Sequence, residues 1–109
     1  MTNYIFIETR DPFESRDTRF LVETATALKE RGNEVTVFLV QNGVLAARRA
    51  AHGSHLPTLS EAGVRLLADD FSLAERGIGE SEMLPGVRQA GIDSLVDFLA
   101  RDDTKAVWH

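Results

Sequence analysis

Tyr4-Ile5-Phe6-Ile7 and Val35-Thr36-Val37-Phe38-Leu39-Val40, with a helical period between them, decide the fold of this chain. Each is a short unbroken run of β-branched, aromatic and aliphatic residues. That pattern suits a strand covered on both faces rather than one face of an amphipathic sheet. Glu8-Thr9-Arg10-Asp11-Pro12 ends the first run and opens a loop. Phe20, Leu21, Thr24, Ala25 and Leu28 then recur at helical spacing. Ser15 or Asp17 is placed to cap that helix, and Gly32-Asn33 closes it after Lys29 and Arg31, where cations suit the helix dipole. Strand, helix and strand with short connections predict a βαβ unit with a right-handed crossover and parallel strands.

Working outward, Asn42-Gly43 reads as a turn and Val44 to Ala50 as a second, short helix. Thr58 to Ala62 gives a further helical piece before Gly63, and Val64-Arg65-Leu66-Leu67-Ala68 a third strand stopped by Asp69-Asp70. Phe71 to Arg76 is helical, Val87 to Ala90 a short strand, and Lys105 to Trp108 a closing strand. Ile92, Leu95, Val96, Phe98 and Leu99 mark an amphipathic helix that Asp93 or Ser94 is placed to cap. Alternating strands and helices predict an α/β fold, a three-layer α/β/α sandwich around a mostly parallel sheet of about five strands.

The chain has 109 residues, which predicts one domain over 1–109 that buries roughly two-thirds of its unfolded surface. Apolar residues make up 43% and charged residues 27%, a globular balance. With 12 basic against 17 acidic residues the net charge is −5, which argues against nucleic acid as a partner. No basic n-region and no apolar run of about 18 residues is present, so no membrane span and a cytoplasmic location are expected. The chain has no cysteine. Disulfides, zinc–thiolate sites, iron–sulfur clusters and a persulfide on this chain are thereby excluded.

In folds of this class ligands gather at the carboxyl ends of the strands. Arg10, Arg16 and Arg19 follow the first strand, and with Asn42 they are candidates for binding an anion through guanidinium forks and helix N–H groups. The interleaved Glu8, Asp11, Glu14 and Asp17 offer the alternative, a solvated mixed-charge loop. Asp69 and Asp70 end the third strand, as ligand-binding groups, as a general base should Asp69 lie buried beside Glu8, or as the cap of the next helix. His52 and His55, in a Gly-Ser loop, fall short of a metal set and read as solvated side chains, so no metal is expected. Gly77-Ile78-Gly79 lacks the strand and third glycine of a dinucleotide fingerprint, and no cofactor is expected. Leu56, Leu59, Leu84 and Trp108 are candidates either for the core or for a contact between subunits.

Several segments in their order resemble the DsrE/DsrF-like family of sulfur reduction, sulfur oxidation and Tus sulfur-relay proteins. They are the loop Asp11-Pro12-Phe13, the helix ending at Gly32, the Val35–Val40 strand with Asn42-Gly43-Val44, the run from Ala68-Asp69-Asp70-Phe71 to Arg76-Gly77-Ile78, and Val107-Trp108. The resemblance implies a compact α/β/α subunit that assembles into trimers or hexamers. It also implies that active members carry a cysteine at the third strand end, seven residues before the arginine of the Arg-Gly pair. That position is Asp69 here. A thiolate takes up sulfane sulfur because it is a soft nucleophile, and a carboxylate does not replace it.

The expected role is therefore a non-catalytic subunit, or a docking or scaffold component, of a sulfur-relay assembly. Its partners would be further copies of itself or a cysteine-bearing paralogue, with a small sulfur-carrier protein as a further partner. The alternative is an oligomeric module that binds a small ligand or anion in the strand-end pocket. A third reading, carboxylate chemistry at Asp69 or Asp70 with a divalent ion, has only oxygen ligands to support it.

Overall fold

A computed structural model describes residues 2–11, 18–49 and 54–109. The elements are β1 (Asn3–Glu8), α1 (Thr18–Glu30), β2 (Glu34–Leu39), α2 (Leu56–Glu61), β3 (Arg65–Asp69), α3 (Asp70–Glu75), β4 (Val87–Ala90), α4 (Ile92–Ala100) and β5 (Thr104–Trp108). A 3-10 segment, Gln41–Ala47, follows β2, and a shorter one, Glu80–Glu82, precedes β4. The strands form one sheet in the order β4-β3-β2-β1-β5, and every pair is parallel.

The strand order dictates how the helices are distributed. From β1 to β4 the chain steps across the sheet in one direction, and right-handed crossovers then put α1, α2 and α3 on one face. The step from β4 back to β5, on the far side of β1, reverses direction and places α4 on the opposite face. The two cores follow this division. Phe6, Val35, Val37, Leu39, Leu66 and Ala68 pack with Leu21, Ala25, Leu56, Leu59 and Leu73. Ile5, Ile7 and Phe38 pack with Leu95 and Phe98 of α4. Alternation along β1 and β2 thus sends neighbouring residues into different cores, which is why Ile5 to Ile7 and Val37 to Leu39 are apolar in consecutive positions.

Register aligns the side chains in rows. Phe6 pairs with Val37 and Val107, and Val37 with Leu66, which pairs with Val87, a row wholly on the better covered face. The next row, Trp108, Ile7, Phe38, Leu67 and Arg88, lies on the α4 face. Its centre is sealed, with Ile7 1% and Phe38 0% exposed, while Trp108 at one end is 69% exposed and Arg88 at the other is exposed. One helix of 9 residues covers the middle of a five-stranded face and leaves both flanks open.

Several boundaries differ from those the sequence predicts. The segment after β2 is a 3-10 coil from Gln41 to Ala47 rather than a helix from Val44 to Ala50. Gln41 has φ of 52°, and Gly43 sits so close to β1 that a Cβ there would lie 2.2 Å from the Glu8 carbonyl oxygen. The chain must turn tightly around the β1 end before it can coil. For α4, neither Asp93 nor Ser94 caps the start: the N-cap is Gly91, without a side-chain bond, because the helix already begins at Ile92. The caps proposed for α1, Ser15 and Asp17, lie outside the described residues.

The contact at Gly43 yields a direct expectation. Gly43→Ala should lower unfolding stability by about 2 kcal/mol or more, because backbone on backbone leaves no side chain to yield. Urea denaturation measures this, and a loss under about 0.5 kcal/mol would show that the approach of the two segments is not tight.

Candidate functional site

At the carboxyl ends of β1, β2, β3 and β5, on the α4 side, lies a cavity of about 310 Å³. Val40, Phe71, Ile92, Leu95 and Trp108 supply its apolar wall, and Thr9, Gln41, Asp69, Ser72 and Glu75 its polar groups. Phe71 and Trp108 stand exposed at 68% and 69%. This is the crevice that a parallel sheet offers to ligands.

A buried polar network forms one side. Asp69 is 8% and Ser72 4% exposed. The Asp69 carboxylate, through Oδ2, accepts the Ser72 N–H at 2.9 Å and the Ser72 hydroxyl at 2.7 Å, and so caps α3. The Ser72 hydroxyl oxygen in turn accepts the Gln41 N–H at 2.9 Å. That bond holds Gln41 in its left-handed conformation, one that costs a residue with a Cβ about 1 kcal/mol or more. Asp69 thereby joins the end of β3 to the turn after β2. Of the roles open to it in the sequence, the cap is the one its hydrogen bonds make.

The other predicted site residues are dispersed. Asp70, exposed, is the first residue of α3. Asn42 accepts two bonds from the Arg76 guanidinium, at 3.3 and 3.1 Å, and Arg76 also donates to the Ser72 carbonyl at 3.2 Å. The arginine of the Arg-Gly pair thus ties α3 to the turn after β2. Arg19 is exposed and donates to Glu23 one turn along α1 at 2.7 Å, and this pairing raises its pKa. Arg10 is exposed beside β1, with its N–H on Glu8 Oε1 at 3.2 Å. Neither Arg10 nor Arg19 lines the cavity, and Arg16 and His52 lie outside the described residues. His55 is not a solvated histidine: burial lowers its pKa, and its Nε2 is buried without a hydrogen-bond partner among the described residues.

Glu8 does not meet Asp69, because β2 lies between β1 and β3. It forms a different pair that sequence reasoning missed. Glu8 is 4% exposed, and its Oε2 lies 2.5 Å from Nδ1 of His109. The His109 N–H donates to the Ile7 carbonyl at 2.8 Å, and its own carbonyl accepts the Thr9 N–H at 3.1 Å, so the sheet pairing continues past β5. Phe20 lies against the imidazole at 5.5 Å between ring centres. A charged residue ending the apolar run Tyr4–Ile7 is the available signal, but its partner is 101 residues away and visible only once β5 is known to pair with β1.

No group of three or more metal-ligating side chains occurs among the described residues. No described helix is long and apolar enough to cross a membrane. Leu56 and Leu59 are fully buried, Leu84 is partly so, and of that set Trp108 alone is left exposed. The network around Asp69 sets an expectation for substitution. Asp69→Ala should cost about 1–2 kcal/mol in urea denaturation, whereas Asp69→Asn, which keeps an acceptor for both Ser72 donors, should retain most of the stability. Equal losses in the two variants would contradict the capping role.

Comparison with known proteins bears on the same residues. Two solved structures share the fold: a protein of unknown function, MTH1491, from Methanobacterium thermoautotrophicum, and the ychN protein from E. coli. Each is 20% identical to this chain and superposes with a TM-score of 0.83. The first match covers 100% of both chains, and the second 98% of this chain and 100% of the other. No curated protein matches. The profile of the DsrE/DsrF-like family matches residues 2–105. With nearly the whole chain matched and a parallel α/β sheet beneath it, this cysteine-free protein belongs to the DsrE/DsrF-like family.

Proposed function

We propose that this chain is a non-catalytic, thiol-free subunit of a sulfur-relay assembly. The observation that carries the reading is the state of the β3 end. Where the family resemblance implies a persulfide-forming cysteine, Asp69 stands buried and its carboxylate is used as a helix cap. A carboxylate oxygen is a hard donor and does not bind sulfane sulfur, and no thiol elsewhere in the chain replaces it. The strand-end cavity survives, but its chemistry in this chain is structural.

The open β5 flank of the α4 face supports a role in assembly. Ile92, Val96 and Leu99 lie along α4 at 58%, 56% and 49% exposure, spaced to fall on one side of the helix. Beside them Ala106 and Trp108 of β5 face the same way as Ile5 and Ile7. Exposed apolar side chains grouped on one helix and the adjoining strand mark a surface for protein contact. The partner proposed for it is a further copy of the chain or a cysteine-bearing paralogue, in a trimer or hexamer. Because Ile92 and Trp108 also line the cavity, such a partner would sit at its mouth.

A second reading, a small-ligand module, has the cavity itself in its favour. Its polar lining carries Asp69 and Glu75 and neither Arg10 nor Arg19, so the anion form of that reading draws no support from the lining.

The subunit role is tested by capturing the tagged chain from its source cells and weighing the intact complex by native mass spectrometry. A cysteine-bearing paralogue or a small sulfur carrier in the complex is the expected result. A homo-oligomer free of protein partners would overturn the heteromeric form. Polysulfide treatment gives a second readout: Asp69→Cys should gain the mass of sulfur and the natural chain none. Sulfur retained on the natural chain would contradict the loss of catalysis.

A further inference from the structure

The α4 face has a second open flank, over β3 and β4, and its chemistry is opposite to that of the first. Arg88 pairs in register with Leu67, and Arg65 lies two residues before Leu67 on β3, so both arginines project from the face that α4 partly covers. Their Cα atoms are about 8 Å apart from strand spacing and rise. A cavity of about 660 Å³ opens there, with Leu67, Ala90 and Phe98 as its apolar lining and Arg65, Arg88, Gln89 and Ser94 as its polar residues. A third guanidinium, that of Arg101, lies 4.8 Å over the Phe98 ring and lines an adjoining depression together with Arg65.

These cations carry no charge pairing among the described residues. Among the described residues, the side chains of Arg65 and Arg88 have no ion pair and no hydrogen bond, and Arg101 has only the ring contact. Among the described residues, none that lines the larger cavity is acidic. Glu34, in the adjoining depression, is held by Lys29 at 3.6 Å. In a chain of net charge −5, a groove with two arginines and no carboxylate runs against the overall composition.

We infer that this groove binds a small organic oxyanion, a carboxylate or phosphate carried on an apolar or aromatic body. Guanidinium groups present planar forks that match either oxyanion with two parallel hydrogen bonds. Arg65 and Arg88 reach the charged group from adjacent strands, Ser94 adds a hydroxyl, and Leu67, Ala90 and Phe98 take the apolar part. The site is separate from the strand-end cavity and does not rest on the subunit role proposed above.

The test is a titration of the ¹⁵N-labelled protein with phenyl phosphate, benzoate and, as an uncharged control, benzyl alcohol. Saturable shifts at residues 65–67, 88–90 and 94–98 with either anion are expected, and the tighter of the two identifies the oxyanion. Benzyl alcohol should bind at least ten-fold more weakly. Arg88→Gln, an exposed change that removes no core contact, should weaken the anion at least ten-fold. Arg31→Gln, an exposed arginine beyond the end of α1, should leave it within two-fold. The absence of saturable shifts in the groove, equal binding of benzyl alcohol, or equal effects of the two substitutions would each overturn the assignment. None of these outcomes touches the partner-capture experiment, so the two readings fail separately.

Discussion

The return of the last strand to the far side of β1 is the constraint on which the rest of this structure depends. Parallel strands joined by right-handed crossovers put every connection of one direction on one face, and a single reversal sends a single helix to the other. Among the described elements, three helices and a 3-10 coil close the first face, and α4 alone serves the second. The sealed centre at Ile5, Ile7 and Phe38, the apolar flank beside Trp108 and the cationic flank beside Arg88 are all consequences of that one step.

The reversal also places the strand-end cavity. Its floor is the set of turns leaving β1, β2 and β3, and the last two are held by bonds and contacts that meet at Ser72, Asn42 and Gly43. Asp69 caps α3 through Ser72, Ser72 holds Gln41, Arg76 holds Asn42, and Gly43 lets the β2 turn touch β1. A carboxylate at position 69 suits this architecture well, since it serves two donors at once. On the proposed reading, this frame is kept by a residue that does not take up sulfane sulfur, and a carboxylate in place of a thiol need not loosen the fold.

Much of the architecture was legible in the sequence because it is local. The runs at Tyr4–Ile7 and Val37–Val40 are apolar in consecutive positions, a pattern that suits strands buried on both faces. The spacing of Ile92, Leu95, Val96, Phe98 and Leu99 gives α4, although it does not say that only Leu95 and Phe98 face the sheet. What was not legible depends on register between distant strands. Glu8 reads as the start of a loop until β5 brings His109 beside it. Nothing in sequence links Arg65 to Arg88, and only the pairing of β3 with β4 leaves them together on an open face. The 3-10 coil after β2 is not legible for a related reason, since Gly43 is dictated by a contact with β1 and not by its neighbours in sequence.

On the proposed reading, a second subunit covers the apolar β5 flank beside α4. Analytical ultracentrifugation of the natural chain and of a Val96→Asp, Leu99→Asp double variant tests it most directly, because both side chains point away from the subunit's own core. The expected result is an assembled natural chain and a folded, monomeric variant, with unchanged circular dichroism. A monomeric natural chain, or a variant that assembles equally well, would contradict the claim.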